Sequence, residues 1–576
     1  MDKELLLQKI LEQALENFTL QTPLKFEKPS NESFGDLSSN VAMIAFKQVA
    51  DKFNSPRDLA QKIADKIVDL DQDKLLQKVS VAGPGFINFK FADQQVLSNL
   101  DKILRLQKVE LIDLGRAKKA IVEYSSPNIA KPFTIGHLRS TIIGDSVANL
   151  LAASGYEVFR DNHLGDWGTQ FGKQIVAIKK WGDEALIDLS ERPVEQLVAL
   201  YVKFHEEAEK NPELEEEARE WFKKLENGDH EARRLWQKCI DWSFIEFAKI
   251  YEYLGVTFTE NQGRGYGESF FEKDLQPLIT ELKSKGFAQS GKEGAILFFY
   301  PDEEFTPLMI AKKDGSTLYA TRDLATDKWR LENSRYQNSD GSAPLVVNEV
   351  GSEQTFYFQQ LYRAEEIMGW YQKGERVHVK HGLYRFKEGK MSTRKGNVIW
   401  LEEVLEKAKA RALAITEDEA IAQAVSVAAL KWNDLKRKSE LNINFDWDEI
   451  LNLQGNSGPY MLYSYARAKS ILRKAEENPS EFSNNEEVSI NDLEKSLLNK
   501  LDEFAKVVAR ASKEFAPHHL CTYLFELAAL FNSFYNKYQI LNSPLERQFR
   551  LKLVKAVAII LKQGLNLLGI RTLEKM

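Results

Sequence analysis

Apolar positions near the N-terminus follow a helical period and then a strand period. They recur at helical spacing from Leu5 to Phe18 and from Val41 to Phe53. A Gly-Pro-Gly turn at 83–85 comes next, followed by the segment FINFKF, whose pattern is typical of a strand. We therefore predict a small α/β domain over residues 1–105.

From residue 117 to about residue 400, short apolar runs alternate with helical periodicity or glycine turns. The runs occupy residues 120–122, 158–160, 295–300 and 345–350. Strands that alternate with helices are typical of a doubly wound parallel sheet. This pattern predicts a Rossmann-type α/β domain over residues 106–404.

Two further stretches have a helical pattern. Residues 180–290 interrupt the alternation, and residues 205–234 are dense in Glu, Lys and Arg with few apolar positions. We interpret them as an exposed helical insertion, with an acidic interaction face as the alternative. Residues 405–576 are almost all helical in period, which predicts an all-α C-terminal domain.

Composition narrows the classes of protein that the chain can belong to. Its 576 residues are enough for about three or four domains, and 43% hydrophobic with 28% charged residues is typical of a soluble globular protein. The N-terminus lacks the features of a signal or transit peptide, and no apolar stretch is long enough for a membrane span. Two cysteines give neither a metal-binding spacing nor a disulfide framework. We expect a cytoplasmic protein with no membrane partner and no bound metal.

The net charge of −7 by itself argues mildly against a nucleic-acid partner. The charge is uneven, because residues 451–576 carry 17 Lys and Arg against 13 Asp and Glu, a net charge of +4 that leaves −11 for the remainder. A mildly basic C-terminal region can neutralise phosphates locally. Ordinary variation of charge along a long chain explains the same numbers equally well.

Two distant segments have the composition of a nucleotide site. The first, EYSSPNIAKPFTIGHLRSTIIGD at 123–145, runs from a strand through a turn into a helix that begins near Ile135. A helix N-terminus offers free N–H groups and a positive dipole end to phosphate, and the Gly136-His137 pair lies on that first turn. The second, KEGKMSTRKGN at 387–397, places four cations among small residues, which suits a loop that closes over a polyphosphate.

These segments resemble the signatures of class I aminoacyl-tRNA synthetases, specifically the arginyl-tRNA synthetases. The similarity continues in NHLGDWGTQFG (162–172), LYATRDLA (318–325) and SGPYMLYSYARAKSILR (457–473), over essentially the whole chain. The resemblance implies ATP-dependent ligation of L-arginine to tRNA(Arg) through an arginyl-adenylate, with Mg²⁺ accompanying ATP and with release of AMP and pyrophosphate. It also implies an N-terminal domain that contacts the tRNA elbow, a catalytic Rossmann domain and a helical anticodon-binding domain. We expect a monomer.

The resemblance assigns the ATP contacts to the two signatures. The first signature comprises Pro127, Asn128, Ile129, Ala130, Lys131, Pro132, Phe133, Thr134, Ile135, Gly136 and His137. The catalytic residues that it implies are His137, Lys131, Lys390, Ser392 and Arg394. The ATP-binding residues that it implies are Thr134, Gly136, His137, Lys390, Met391 and Lys395.

The sequence departs from the class pattern at two positions. Thr134 stands where the usual His-x-Gly-His signature has its first histidine, and Thr393 stands where the usual Lys-Met-Ser-Lys signature has its second lysine. Arginyl enzymes commonly lack that lysine, and Lys131 lies at the position that takes over its role. A threonine hydroxyl donates one hydrogen bond and is never charged, so we expect activity below that of a histidine version.

A guanidinium presents a planar fork of donors that carboxylates match best. The resemblance places these carboxylates at Glu123 and Asp323, with Tyr319 one helical turn before Asp323. The implied arginine-binding residues are Glu123, Asn128, His163, Tyr319, Asp323 and Gln354. Taken singly, the acids would be explained by helix caps or surface ion pairs, and the tyrosine by core packing.

The helical C-terminal region carries aromatic residues beside a cation, which suits stacking on unpaired bases. The implied tRNA-binding residues are Tyr460, Tyr463, Tyr465, Arg467, Asn532 and Tyr535. Helix packing explains the tyrosine row equally well.

Other functions find less support in the chain. The glycine-rich stretch at 263–267 has the wrong spacing for a dinucleotide fingerprint and follows TENQ instead of a strand, so we interpret it as a loop. The missing fingerprint argues against an oxidoreductase. A synthetase-like RNA-binding protein without catalysis is the remaining alternative, and Thr134 is the feature that favours it.

Overall fold

Two compact units make up the chain, and their boundaries cut across the helical C-terminal region. The first unit comprises residues 1–109, 480–503 and 533–559, and the second comprises residues 110–479, 504–532 and 560–576. The computed structural model describes residues 3–29, 31, 34–291, 293–385, 399–414, 416–477, 490–543 and 545–576.

The N-terminal part of the first unit is an α/β module. Its elements are α1 (Lys3–Glu16), β1 (Leu37–Ser39), α2 (Val41–Ala45), α3 (Pro56–Leu70), β2 (Leu76–Ala82), β3 (Phe86–Phe91) and α4 (Asp93–Leu106). The strands form an antiparallel sheet in the order β1-β3-β2. The helix expected over 41–53 ends early, at Ala45, and a short 3₁₀ turn follows it. At Val49 the backbone leaves the helical region, with φ −139°, and the Val49 side chain is buried.

The second unit begins with the elements around the parallel sheet and the helical insertion. They are β4 (Lys119–Glu123), α5 (Ile135–Ala153), β5 (Glu157–Asp161), α6 (Gln170–Trp181), α7 (Glu184–Asp188), α8 (Pro193–Lys210), α9 (Glu213–Glu226), α10 (His230–Leu254), α11 (Glu272–Ser284), β6 (Ala288–Ser290), β7 (Ile296–Phe298), β8 (Leu308–Ala311), α12 (Tyr319–Glu332), β9 (Leu345–Gly351), α13 (Thr355–Ile367) and β10 (Arg376–His381).

The remaining elements are mostly helices, as their periodicity predicted. They are β11 (Tyr384–Arg385), α14 (Leu401–Leu413), α15 (Glu419–Leu435), β12 (Ile443–Asn444), α16 (Trp447–Ile450), α17 (Gly458–Glu477), α18 (Asp492–Lys513), α19 (His518–Lys537) and α20 (Arg547–Leu567). In the part of the chain that the structure describes, no helix combines the length and apolarity that crossing a membrane requires.

A four-stranded parallel sheet in the order β10-β9-β4-β5 confirms the predicted Rossmann-type architecture. One of the predicted strands is misplaced, because residues 295–300 contribute β7 to a separate antiparallel sheet in the order β6-β7-β8. Only a short turn separates β6 from β7, and a parallel crossover needs a dozen residues or more. The fourth parallel strand, RVHVKH at 376–381, was missed because basic and apolar residues alternate in it.

Helix α5 is buried on nearly all of its surface and packs directly against β4. Gly144 makes this approach possible, since a Cβ atom there would lie 2.2 Å from the Cβ of Tyr124. At the other side, the buried guanidinium of Arg139 contacts the Asp434 carboxylate of α15 at 3.2 Å. The helix is therefore held between the sheet and the first helices of the C-terminal region.

We predict that Gly144→Ala lowers the free energy of unfolding by about 2 kcal/mol, because overpacking against Tyr124 outweighs the roughly 1 kcal/mol by which alanine favours a helix. Urea denaturation followed by circular dichroism measures the change. The matched control is Gly136→Ala on the same helix, where the nearest atom to the new Cβ is the Thr134 hydroxyl oxygen at 3.3 Å. An unfolding midpoint of Gly144→Ala equal to that of the control would contradict the packing argument.

Candidate active site

Polar side chains on three neighbouring strands lie side by side at the edge of the parallel sheet where β4 and β5 end. The register pairs Glu123, the last residue of β4, with Asp161 of β5 on one side and with Asn348 of β9 on the other. All three residues are at least nine-tenths buried. Open α/β sheets bind their ligands at the carboxyl ends of the strands, so this edge is where a site is expected.

The loop between β4 and α5 lies against the segment that follows β5. Asn128 forms a parallel bridge with Gly165, and the Ile129 N–H donates to the Gly165 carbonyl at 3.1 Å. A Cβ at position 165 would lie 2.1 Å from the Asn128 side-chain oxygen, so a larger residue there would displace the Asn128 amide. The structure thus brings the first signature and the NHLGDWG segment together and leaves Asn128 and Lys131 exposed.

Thr134 caps the N-terminus of α5 and contacts His137. The Thr134 backbone N–H donates to His137 Nδ1 at 3.0 Å, and the Thr134 hydroxyl lies 3.2 Å from the same nitrogen. Burial, together with the nearby His381, lowers the pKa of His137 to about 4, so the ring is neutral at pH 7. With Nδ1 accepting, the ring proton belongs on Nε2, which is left as a donor beside the exposed Gly136.

Glu123 is held by two partners from other elements. Its Oε2 accepts from Arg330 of α12 at 2.6 Å, and its Oε1 accepts from Asn348 at 3.0 Å. Burial acts to raise the pKa of Glu123, but Arg330 and His163 hold it below its usual value. Glu123 is therefore a fixed, ionised carboxylate.

Asp323 lies one turn after Tyr319 on α12, as the sequence predicted, but its environment differs from that of Glu123. Burial of its carboxyl group raises the pKa of Asp323 to about 7, although the residue as a whole is only half-buried. The Tyr357 hydroxyl of α13 donates to its Oδ2. Tyr319 is 58% exposed and Gln354 is also exposed, which leaves this side of the site open to a ligand.

His163 has one nitrogen bound and the other free for a ligand. Nδ1 lies 2.9 Å from the carbonyl oxygen of Tyr266, to which it donates, while Nε2 is buried and has no hydrogen-bond partner among the described residues. Burial acts to lower the pKa of His163, but the charges of Glu123 and Asp323 raise it above its usual value. A cationic ligand between the same two acids therefore competes with this proton.

The sequence did not indicate four residues that shape the site, namely Tyr266, Arg330, Asn348 and Tyr357. Tyr266 belongs to the stretch at 263–267, which is a loop as interpreted, but one that supports His163. Arg330 is two turns after Asp323 on α12, a spacing that could have placed it on the same face. The predicted residues Lys390, Met391, Ser392, Arg394 and Lys395 lie outside the described residues.

A second polar cluster joins α17 and α19 in the second unit. Arg467 donates to Asn532 at 2.5 Å and to the Tyr463 hydroxyl at 3.1 Å, and Asn532 donates to the Tyr460 hydroxyl at 2.9 Å. Tyr463 is 42% exposed, so its ring is accessible. Tyr465 is only 2% exposed, which favours the alternative of helix packing for this residue. Tyr535 lies in the first unit and is 41% exposed.

Comparison with known families accounts for nearly the whole chain. Residues 99–447 match the model "tRNA synthetases class I (R), catalytic domain", residues 461–576 the "DALR anticodon binding domain", and residues 5–91 the "Arginyl tRNA synthetase N terminal domain". The chain belongs to the arginyl-tRNA synthetase family. The predicted family is thereby confirmed.

Individual relatives agree with the family models. The arginine–tRNA ligase of Fusobacterium nucleatum subsp. nucleatum is 38% identical over 99% of this chain and 98% of its own length. That of Exiguobacterium sp. is 39% identical over 96% of this chain and 95% of its own. The solved arginyl-tRNA synthetase of Thermus thermophilus shares the fold, with a TM-score of 0.79 at 24% identity and full coverage of both chains.

We predict that His137 titrates near pH 4, because burial and the nearby His381 lower its pKa, and that it carries its proton on Nε2 at pH 7, because the Thr134 N–H donates to Nδ1. Nuclear magnetic resonance of ¹⁵N-histidine-labelled protein, with His137→Gln for assignment, measures the pKa and the tautomer. His163 provides the internal comparison, since its pKa lies above the usual value. A His137 pKa near 6.5, or a proton on Nδ1, would refute this description of the α5 N-terminus.

Proposed function

We propose that this synthetase attaches L-arginine to tRNA(Arg) with ATP, through an arginyl-adenylate. The observation that carries the proposal is that two chemically distinct carboxylates, Glu123 and Asp323, act electrostatically on His163, whose buried Nε2 has no hydrogen-bond partner among the described residues. A planar guanidinium carries a delocalised positive charge and several donors, and two carboxylates in a partly desolvated pocket satisfy both. Tyr319 forms the outer wall of the pocket. Asn128 is exposed, and we assign it to the α-amino or carboxylate end of arginine; Gln354 is also exposed, and we assign it to the side of the pocket.

The first step joins the amino acid to the nucleotide. A carboxylate oxygen of arginine attacks the α-phosphorus of ATP, the bond to the β-phosphate oxygen breaks, and pyrophosphate leaves. Negative charge grows on the phosphate oxygens, so positioned donors contribute more than a nucleophile from the protein. The Nε2–H of His137 is a donor of this kind, and the exposed Gly136 lets the nucleotide approach the N-terminus of α5.

The second step transfers the arginyl group to RNA. A ribose hydroxyl at the tRNA 3′ end attacks the carbonyl carbon, the bond to the α-phosphate oxygen breaks, and AMP leaves.

In this proposal the exposed Lys131 and the segment 387–397 neutralise the leaving pyrophosphate of the first step. Tyr460, Tyr463, Arg467, Asn532 and Tyr535 remain our candidates for tRNA contacts, with the ring of Tyr463 the best placed for stacking.

Mg²⁺ enters the proposal with ATP, held mainly by phosphate oxygens, and supplies charge neutralisation there. Across the described residues, no group of three or more His, Cys, Asp and Glu side chains is arranged to hold a metal ion.

We further propose a monomer that works in the cytoplasm. The Thr134 hydroxyl acts in this scheme through His137, which it contacts, instead of replacing the missing histidine at the phosphates.

Charging of total tRNA tests the proposal directly. With ATP, Mg²⁺ and each labelled amino acid in turn, we expect acid-precipitable label with arginine alone, because only its side chain matches two carboxylates. Heat-inactivated enzyme and tRNA without ATP are the controls. Tight tRNA binding without charging of any amino acid would refute the proposal and indicate an RNA-binding paralogue without catalysis.

The pH dependence of arginine use follows from Asp323. Its pKa is raised to about 7, so it accepts from a guanidinium only above that pH, and the KM for arginine should rise about tenfold between pH 8 and pH 6. Asp323→Asn should raise the KM about 10- to 100-fold at pH 8 and abolish this titration. Glu123→Gln should raise the KM comparably and move the midpoint to lower pH, because the charge of ionised Glu123 helps to raise the pKa of Asp323.

Steady-state kinetics between pH 6 and pH 8 measure these effects, with the KM for ATP as the control that should change little. An unchanged KM for arginine in both variants would exclude Glu123 and Asp323 from the pocket.

A further inference from the structure

Tyr357 lies between the two sides of the arginine pocket, although the sequence assigned it no role. Its hydroxyl donates to Asp323 Oδ2, and its ring meets that of Tyr319 edge-on, with centroids 4.7 Å apart and planes at 77°. It belongs to the first turn of α13, three residues after Gln354. One side chain thus connects α13 to two pocket residues of α12.

The direction of this hydrogen bond is set by the two groups themselves. Burial and the charge of Asp323 raise the pKa of Tyr357 well above its usual range, so the phenol keeps its proton and is the donor. A hydrogen bond to the ionised form of a carboxyl favours ionisation. Because Tyr357 occupies Oδ2, it also orients the carboxylate and leaves Oδ1 for a ligand.

The other groups around Asp323 act in opposite directions. His163 favours its ionised form, whereas the charges of Glu123 on β4 and Asp327 on α12 favour protonation. Glu365 of α13 also interacts electrostatically with Asp323. The Tyr357 hydroxyl favours the ionised form of Asp323 through a direct hydrogen bond. Because the phenol keeps its proton, this effect does not change with the charge of another group.

We propose that Tyr357 is a positioning residue for amino-acid selection, which holds Asp323 ionised and aimed at the substrate guanidinium. This inference rests on the proposed function and extends it from residues that touch arginine to one that acts through Asp323. The Tyr357 ring also packs edge-on against that of Tyr319, which is otherwise largely exposed.

Tyr357→Phe removes a single oxygen atom and tests the proposal. If the pKa of Asp323 rises by about one unit, the KM for arginine should increase about fivefold at pH 7, and the difference should shrink to less than about twofold by pH 8.5. The matched control is Tyr300→Phe, which removes a buried hydroxyl that donates to the Gln360 carbonyl and touches no pocket acid. It should leave the pH profile unchanged, and the KM for ATP should stay constant in both variants.

A double-mutant cycle separates this role from a structural one. In the Asp323→Asn background, Tyr357→Phe should change the KM for arginine by less than about twofold, because the carboxylate through which it acts is absent. If thermal melting shows that Tyr357→Phe does not fold, 3-fluorotyrosine at position 357 provides a stronger donor of nearly the same shape. It should move the midpoint of the KM profile to lower pH.

The possible outcomes distinguish the two proposals. Wild-type protein that does not charge arginine overturns the proposed function, and this inference with it. Arginine charging by the wild type, combined with a Tyr357→Phe effect that is the same at every pH or is retained with Asp323→Asn, overturns this inference alone. An unmoved midpoint with 3-fluorotyrosine does the same.

Discussion

The buried guanidinium of Arg330 is the interaction on which the site depends. It contacts Glu123 and Asp161 at 2.6 and 2.7 Å and Asp327 at 3.3 Å, and it is 1% exposed. Unpaired buried charges are strongly destabilising, so these acids could not be placed together at the sheet edge without a permanent cation. Asp327 also pairs with Arg376 at 2.6 Å, which extends the network across the sheet to β10.

This network makes the two pocket carboxylates different. Glu123 is neutralised by the protein and stays ionised whether or not a ligand is present. Asp323 has a phenol and a titrating histidine as neighbours, and its pKa of about 7 places it between two charge states near neutral pH. In the proposed function, a guanidinium that contacts both acids supplies the positive charge that the protein does not provide beside Asp323. Selectivity for a cationic substrate would then depend on both acids together and not on either acid alone.

Helix α5 connects this pocket to the nucleotide side. Its N-terminus presents His137 and Gly136, its middle packs on β4 through Gly144, and Arg139 ties it to α15. Since Glu123 ends β4 and the signature loop follows directly, the proposed amino-acid and nucleotide contacts lie on one strand–loop–helix unit. Few torsion angles separate them, which limits the conformational freedom between the two reacting groups.

The sequence by itself determined the family, the strand runs at 120–122, 158–160 and 345–350, and the start of α5 beside Gly136 and His137, because these depend on local periodicity and contiguous motifs. Only the tertiary structure decided that residues 295–300 form an antiparallel strand, that Tyr465 is buried, and that Tyr357 and Tyr266 support Asp323 and His163. The pairing of Glu123 with Arg330 spans 207 residues of chain. No local pattern encodes such a contact, since it arises from the packing of elements whose order in the sheet differs from their order along the chain.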